Sequence, residues 1–181
     1  DSGLFGEEQL PAAFCRADPA DAAARLADVL RTHAVDAVVL YDPHGIYGHP
    51  DHIAVHRVGA LAAGLAGTPT VYECTVDREY LHFVETHLVG HAVESLLGME
   101  VAATNLAPLG VPTVMVTTTI DVRDHCPAKR AAMALHTSQI PPGSEALTMD
   151  DETFRGVYGF EWYMRTSGPR GPLDHFDFGW M

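Results

Sequence analysis

The hydrophobic and polar positions of the chain fall into alternating helical and extended patterns. Asp18-Pro19 followed by Asp21 has the form of a helix start, with a capping acid, Pro in the first turn and a second acid near the positive helix end. Leu26, Val29 and Leu30 then recur at helical spacing, and the pattern fades near Thr32-His33. Ala37-Val38-Val39-Leu40-Tyr41 is a continuous apolar run between two helical patterns, which predicts a strand buried on both faces of a parallel sheet. A loop of turn formers over 42–50 leads into a second helix over 51–65, with Ile53, Val55, Val58, Leu61 and Leu65 as core candidates. Gly67-Thr68-Pro69 closes it. A strand follows over 70–76, then an irregular, mostly helical stretch over 80–97 carrying His82, His87 and His91. The β-branched segment 112–120 predicts a strand, and 127–136 a helix packed through Ala131, Ala132 and Leu135. Beyond Ile140 the chain is rich in Pro, Gly and acids until the aromatic stretch 158–163.

This alternation predicts an α/β fold with a mainly parallel sheet, its strands near Val38 and Val114 central. The length, 181 residues, fits a single domain over 1–181. Only three strands are visible, and the first follows a helix, whereas a doubly wound sheet usually has about five or more. The domain is therefore expected to be incomplete at its N-terminus.

Composition narrows the partners. Apolar residues make up 47% and charged residues 19%, a globular balance. A net charge of -13 disfavours phosphate-tracking surfaces, so neither nucleic acid nor an anionic membrane is an expected partner. No apolar run approaches the ~20 residues that span a bilayer, and Asp1-Ser2-Gly3 does not open a signal peptide. Cys15, Cys74 and Cys126 are odd in number and lack CxxC spacing, which points to a reducing, cytoplasmic setting. Histidine is in excess, with eleven in the chain.

The densest chemistry lies in Tyr41-Asp42-Pro43-His44-Gly45-Ile46-Tyr47-Gly48-His49-Pro50-Asp51-His52. It spans the carboxyl end of a strand and the start of the next helix, the edge where open α/β sheets bind ligands. His49 and His52 with Asp51 between them bring two imidazoles and a carboxylate together, donors suited to zinc and similar divalent ions. Asp51 also has the form of a helix cap. His56 follows His52 by four residues, on the same helix face, but without the glutamate of an HExxH motif.

This segment resembles the second signature of the PIG-L/LmbE-like zinc-dependent de-N-acetylases, with His44 at a variable place. Asp1-Ser2-Gly3 is similar to the end of an Arg-Asp-Ser-Gly motif of that family, and Lys129, Met133, His136, Ser138 and Gln139 to its late helix motif. The resemblance implies a Rossmann-like, LmbE-like fold with helices on both sheet faces and a hydrolase that removes an N-acetyl group from an amino sugar or sugar conjugate. It implies one bound zinc, with His52 as a ligand, His49 as a protonated imidazole facing the oxyanion, Asp51 orienting it, Tyr47 as a second oxyanion donor and Asp1 as a sugar-hydroxyl contact. The family's first signature, Ala-His-Pro-Asp-Asp, supplies two further ligands and the general base, and it is absent here. The chain thus resembles the C-terminal two thirds of the family, with a complementary N-terminal polypeptide or a homo-oligomer as possible partners.

Other readings stand beside this one. A conjugate amidase of the same superfamily shares the motif. A non-catalytic subunit that binds a sugar or a partner chain fits the absent ligand pair. A metal-dependent phosphoesterase is disfavoured by the acidic charge and the lack of a Gly-rich phosphate loop. Glu161, among aromatics, is read as a buried hydrogen-bonded acid or an oligomer contact in preference to a substrate contact, and His136 as a structural histidine.

Overall fold

The computed structural model describes residues 12–89, 109–138 and 140–168. Helix α1, Pro19–Thr32, starts as its sequence demands: the Asp18 carboxylate accepts from the backbone N–H groups of Ala20 (2.8 Å) and Asp21 (3.0 Å), with Pro19 in the first turn. Ala23, Ala27 and Leu30 form its buried face, while Val29 turns outward. Strand β1, Ala37–Tyr41, follows, then a short helical turn α2, Gly45–Gly48, and the long helix α3, Pro50–Ala66. Helices α1 and α3 share a core of Ala23, Ala27, Leu30, Val58 and Ala62.

The apolar stripe of α3 is not the predicted one. Its buried residues are Val58, Gly59, Ala62 and Ala63, whereas Leu61 and Leu65 are half exposed. Small residues explain the rotation, because they let the helix axis approach β1 more closely than leucines would. A Cβ on Gly59 would fall inside the Leu40 side chain. Gly67, with φ +72, then ends the helix in the left-handed conformation.

Strands β2, Thr70–Thr75, β3, Thr118–Asp121, and β4, Phe160–Ser167, complete one sheet in the order β1-β2-β4-β3. The β1–β2 ladder is parallel, running from Ala37 opposite Thr70 to Tyr41 opposite Cys74. The other two ladders are antiparallel. The sheet is therefore mixed, a correction to the mainly parallel expectation. It arises because β4, unread in the sequence, inserts between β2 and β3 and runs against both.

The expectation of central strands near Val38 and Val114 is also overturned. Val38 lies in β1, at the end of the described sheet, where the neighbouring Val39 is half exposed. Val114 is 91% exposed in a single 3-10 turn, Thr113–Met115. Thr113 fixes that turn: its N–H donates to Glu79 Oε2 at 2.7 Å, and its hydroxyl lies 2.7 Å from Asp77 Oδ1. Those bonds withdraw the segment from the ladder until Thr118.

Helix α4, Arg78–Val84, is capped by Asp77 and continues into one π turn, Glu85–Val89. The rest of the predicted 80–97 stretch, His91 included, lies outside the described residues. Helix α5, Cys126–Ala134, buries Cys126, but Ala131 and Ala132 are exposed and Leu135 is 83% exposed, so none of the three packs as expected. Helices α6, Glu145–Thr148, and α7, Asp151–Tyr158, were not anticipated; Phe154 of α7 is fully buried. Side chains from helices meet both sheet faces. Tyr80 of α4 packs against Phe160 and Trp162, while Lys129 of α5 reaches Glu161, whose place alternates with theirs along β4. No helix among the described residues is long and apolar enough to cross a membrane.

Candidate metal and hydrolase site

At the carboxyl end of β1 the chain turns on a buried carboxylate. Asp42, 1% exposed, accepts from the N–H groups of His44 (3.0 Å) and Ile46 (2.9 Å) through Oδ1, and from the Thr75 hydroxyl (2.8 Å) through Oδ2. The loop it organises has φ +63 at Gly45, φ +63 with ψ -64 at Ile46, and φ +89 at Gly48. Gly45 is required here, since a Cβ would lie 2.9 Å from the Cβ of His52 and 3.0 Å from the nitrogen of Ile53.

Helix α3 then begins with His49 as its cap. His49 Nδ1 accepts from the Asp51 N–H at 3.1 Å, and Pro50 occupies the first turn. Asp51 turns its carboxylate to the chain before α1, where Oδ1 accepts from the Cys15 N–H at 3.2 Å. One turn in, His52 Nδ1 lies 3.2 Å from the Gly45 carbonyl. The His52 ring is sandwiched, stacked on Tyr41 at 3.9 Å and 15° and on His49 at 4.7 Å and 30°. Tyr47 meets both imidazoles edge-on, at 5.2 Å from His52 and 6.0 Å from His49. Four of the residues singled out in the sequence (Tyr47, His49, Asp51 and His52) therefore form one cluster.

The hydrogen bonds assign the protons. A backbone N–H can only donate, so His49 Nδ1 is bare and its Nε2 carries the hydrogen. A carbonyl can only accept, so His52 Nδ1 carries the hydrogen and, in the neutral ring, Nε2 keeps its lone pair. Burial, with a contribution from His49, holds the His52 pKa below the usual imidazole value and so favours that neutral ring. The two stacked imidazoles are thus held in opposite tautomers, Nε2–H at His49 and Nδ1–H at His52. Burial also raises the Tyr47 hydroxyl above its ordinary pKa, which keeps it a donor.

Over 95% of its length the chain is 34% identical to the 1D-myo-inositol 2-acetamido-2-deoxy-alpha-D-glucopyranoside deacetylase of Thermomonospora curvata, covering 62% of that protein. It is equally similar to the deacetylases of the same name from Thermobispora bispora and Salinispora arenicola, covering 60% and 58% of them. These names agree with the resemblance to the PIG-L/LmbE-like family read in the sequence. No family model matches it. The chain spans about 60% of the length of these curated relatives.

A metal implied by this family finds one fitting donor in the structure. A ligating histidine commonly has its other ring N–H held by a carbonyl or carboxylate, as His52 has. Among the described residues no group of three or more His, Cys, Asp or Glu is arranged to hold a metal ion.

The remaining candidates among the described residues make contacts of their own. His56 turns to Tyr41 O (3.1 Å) and buried Glu73 (3.4 Å), tying α3 to β1 and β2. His82 and His87 are exposed, and His82 pairs with Glu85 at 3.8 Å. His136 and Ser138 are exposed, and Gln139 and Asp1 lie outside the described residues. Lys129, of the late helix motif, donates to Glu161 Oε1 (2.8 Å) and the Tyr158 carbonyl (3.0 Å), while the Tyr163 hydroxyl donates to Glu161 Oε2 (2.8 Å). Glu161 is thus hydrogen-bonded as expected, but half-exposed where a buried acid was expected. Cys74 is half-buried, and burial with nearby carboxylates pushes its thiol up to about 12, well away from nucleophilic chemistry. The residues sequence reasoning left without a role are Asp42 and Thr75. An Asp-Pro step directly after a buried strand was the available signal for the first.

Proposed function

We propose that the chain is the C-terminal, proton-donating part of a hydrolase that removes the acetyl group from an N-acetylated amino-sugar conjugate, the reaction named for its relatives. The opposite tautomers of His49 and His52 carry this reading. Amide hydrolysis adds a water oxygen to the carbonyl carbon, breaks the C–N bond, releases acetate and leaves the amine with a proton. Negative charge develops on the carbonyl oxygen, and donors aimed at it lower the barrier. His49 Nε2–H is such a donor, and the Tyr47 hydroxyl is a second. Because His49 Nδ1 accepts from the Asp51 N–H as the cap of α3, Nε2 is the ring's donating nitrogen. Asp51 holds the cap in place through its own N–H and ties the helix start to Cys15.

His52 Nε2 is the donor this chain contributes to a zinc ion, which when bound would act as a Lewis acid on the amide carbonyl. The other ligands come from the part of the longer relatives that this chain does not span, and Asp1 contacts a sugar hydroxyl. The relatives' names favour deacetylation over the conjugate-amidase reaction that shares the motif.

The test combines the chain with the N-terminal region of a relative and follows acetate release from an N-acetylglucosaminyl inositol. His49→Ala should slow turnover by roughly 10²–10³, the usual cost of one oxyanion donor. His52→Ala should abolish it. A His49→Ala protein that turns over at the unmodified rate overturns the assignment.

A further inference from the structure

We propose that Asp42 and Thr75 form a positioning pair that fixes the tautomer and direction of the His52 ring. This rests on the reading above only in what it implies for metal binding.

The pair joins two strands at their carboxyl ends. Cys74 lies opposite Tyr41 in the parallel ladder, and the Asp42 N–H extends that ladder by donating to the Cys74 carbonyl at 3.1 Å. The next residue on each strand faces the other, Thr75 donating to Asp42, with side chains 5% and 1% exposed as residues. With one carboxylate oxygen held by Thr75, the other is aimed at the loop, where it gathers the N–H groups of His44 and Ile46. Bonds to a carboxylate are roughly twice as strong as neutral ones, and burial keeps water from competing.

Those bonds maintain a conformation that the loop would otherwise leave. Ile46, β-branched, sits at φ +63 and ψ -64, the rare and strained hand of the γ-turn. Such a residue persists only where its surroundings over-determine it. The strained turn directs the Gly45 carbonyl at His52 Nδ1, and the missing Gly45 side chain lets the loop approach the helix. The sequence of causes is therefore Thr75 hydroxyl, Asp42 carboxylate, the amides of residues 44 and 46, the Gly45 carbonyl, and the Nδ1 hydrogen of His52. Its consequence is a lone pair at Nε2. If the clamp is released, Ile46 relaxes, the Gly45 carbonyl turns away and His52 is no longer confined to one tautomer.

The test is long-range ¹H–¹⁵N NMR of the metal-free 181-residue chain at a pH where the ring is neutral. The unmodified chain should show His52 as the Nδ1–H tautomer alone. Thr75→Val, which keeps the shape and removes the hydroxyl, should populate the Nε2–H tautomer, and Thr75→Ser should restore the single form. Asp42→Asn, of the same shape, removes the charge and serves if Thr75→Val does not fold; a second tautomer is expected there too. Zinc affinity of the assembled protein should fall about 10–100-fold in Thr75→Val, the usual effect of losing a group that orients a ligand. Folded variants that keep a single Nδ1–H form overturn the proposal. If His52→Ala leaves zinc affinity unchanged, the ligand reading fails by itself, and the NMR result still decides the role of the pair.

Discussion

Acids, bases and aromatics gather in two regions of this molecule, the β1–α3 junction and the corner where α5 and α7 meet β4, and they are used differently. At the corner charged side chains pair with one another. Lys129, Glu161 and Tyr163 hydrogen-bond among themselves, Arg123 pairs with Asp121, and Arg130 lies 4.2 Å over the Phe154 ring while bonding Asp151. At the junction the bonds fix which nitrogen of each imidazole carries the hydrogen: Nε2 at His49 and Nδ1 at His52. A strained residue, Ile46, accompanies the junction. Residue type alone therefore does not distinguish a fold-knitting cluster from a chemical one. The direction in which the hydrogen bonds leave each ring does.

The difference can be broken from either side, and the largest effect is expected at the corner. Phe154→Ala empties a fully buried position and should cost about 3–5 kcal/mol of stability. Denaturant unfolding reads this, and zinc affinity should be unchanged as long as the protein is folded. Gly59→Ala attacks the other side, pressing α3 off Leu40. Overpacking of this kind costs about 1–3 kcal/mol, and because α3 carries His49 and His52 the activity should fall with it. The signature is a lower midpoint together with lower turnover, unlike Phe154→Ala.

A smaller effect concerns pH. Burial raises the Glu161 carboxyl, but the bonds from Lys129 and Tyr163 outweigh it and hold its pKa below the ordinary 4.5. A depressed carboxyl contributes stability that is present above its unfolded value and lost as pH falls through its folded one. Lys129→Met removes one of those bonds, so the acid-unfolding midpoint followed by circular dichroism should move to higher pH. Smallest and most local is Asp18→Ala, which removes the cap of α1 and should cost about 1 kcal/mol without touching turnover.

The same contrast explains what could be read from the sequence. The β1–α3 region was legible because its signals are local. Asp18-Pro19, the Ala37–Tyr41 run and the turn-rich loop before Pro50 each specify their own element, and the loop brings its chemistry with it. Strand β4 was missed because Glu161, Tyr163 and Arg165 carry polar tips on one face, which hid the alternation with Phe160, Trp162 and Met164. The segment 112–120 looked like a strand from its β-branched residues, yet Thr113 is held by Asp77 and Glu79, residues no local pattern could link to it. Leu61, Leu65 and Leu135 were assigned to the core by hydrophobicity, but close approach through Gly59, Ala62 and Ala63 decides which side of α3 is buried. The clustering of Tyr47, His49, Asp51 and His52 was legible. Their protonation pattern was not, since it depends on where Gly45 and Asp51 place their backbone groups.

We propose His52 as the metal donor of this chain. The most direct test is the zinc content of the protein assembled with the N-terminal region of a relative, compared between the unmodified chain and His52→Ala, with His49→Ala as the neighbouring control. Stoichiometric zinc is expected in the unmodified and His49→Ala proteins, and loss of zinc in His52→Ala. Equal zinc in His52→Ala and the unmodified protein would contradict it.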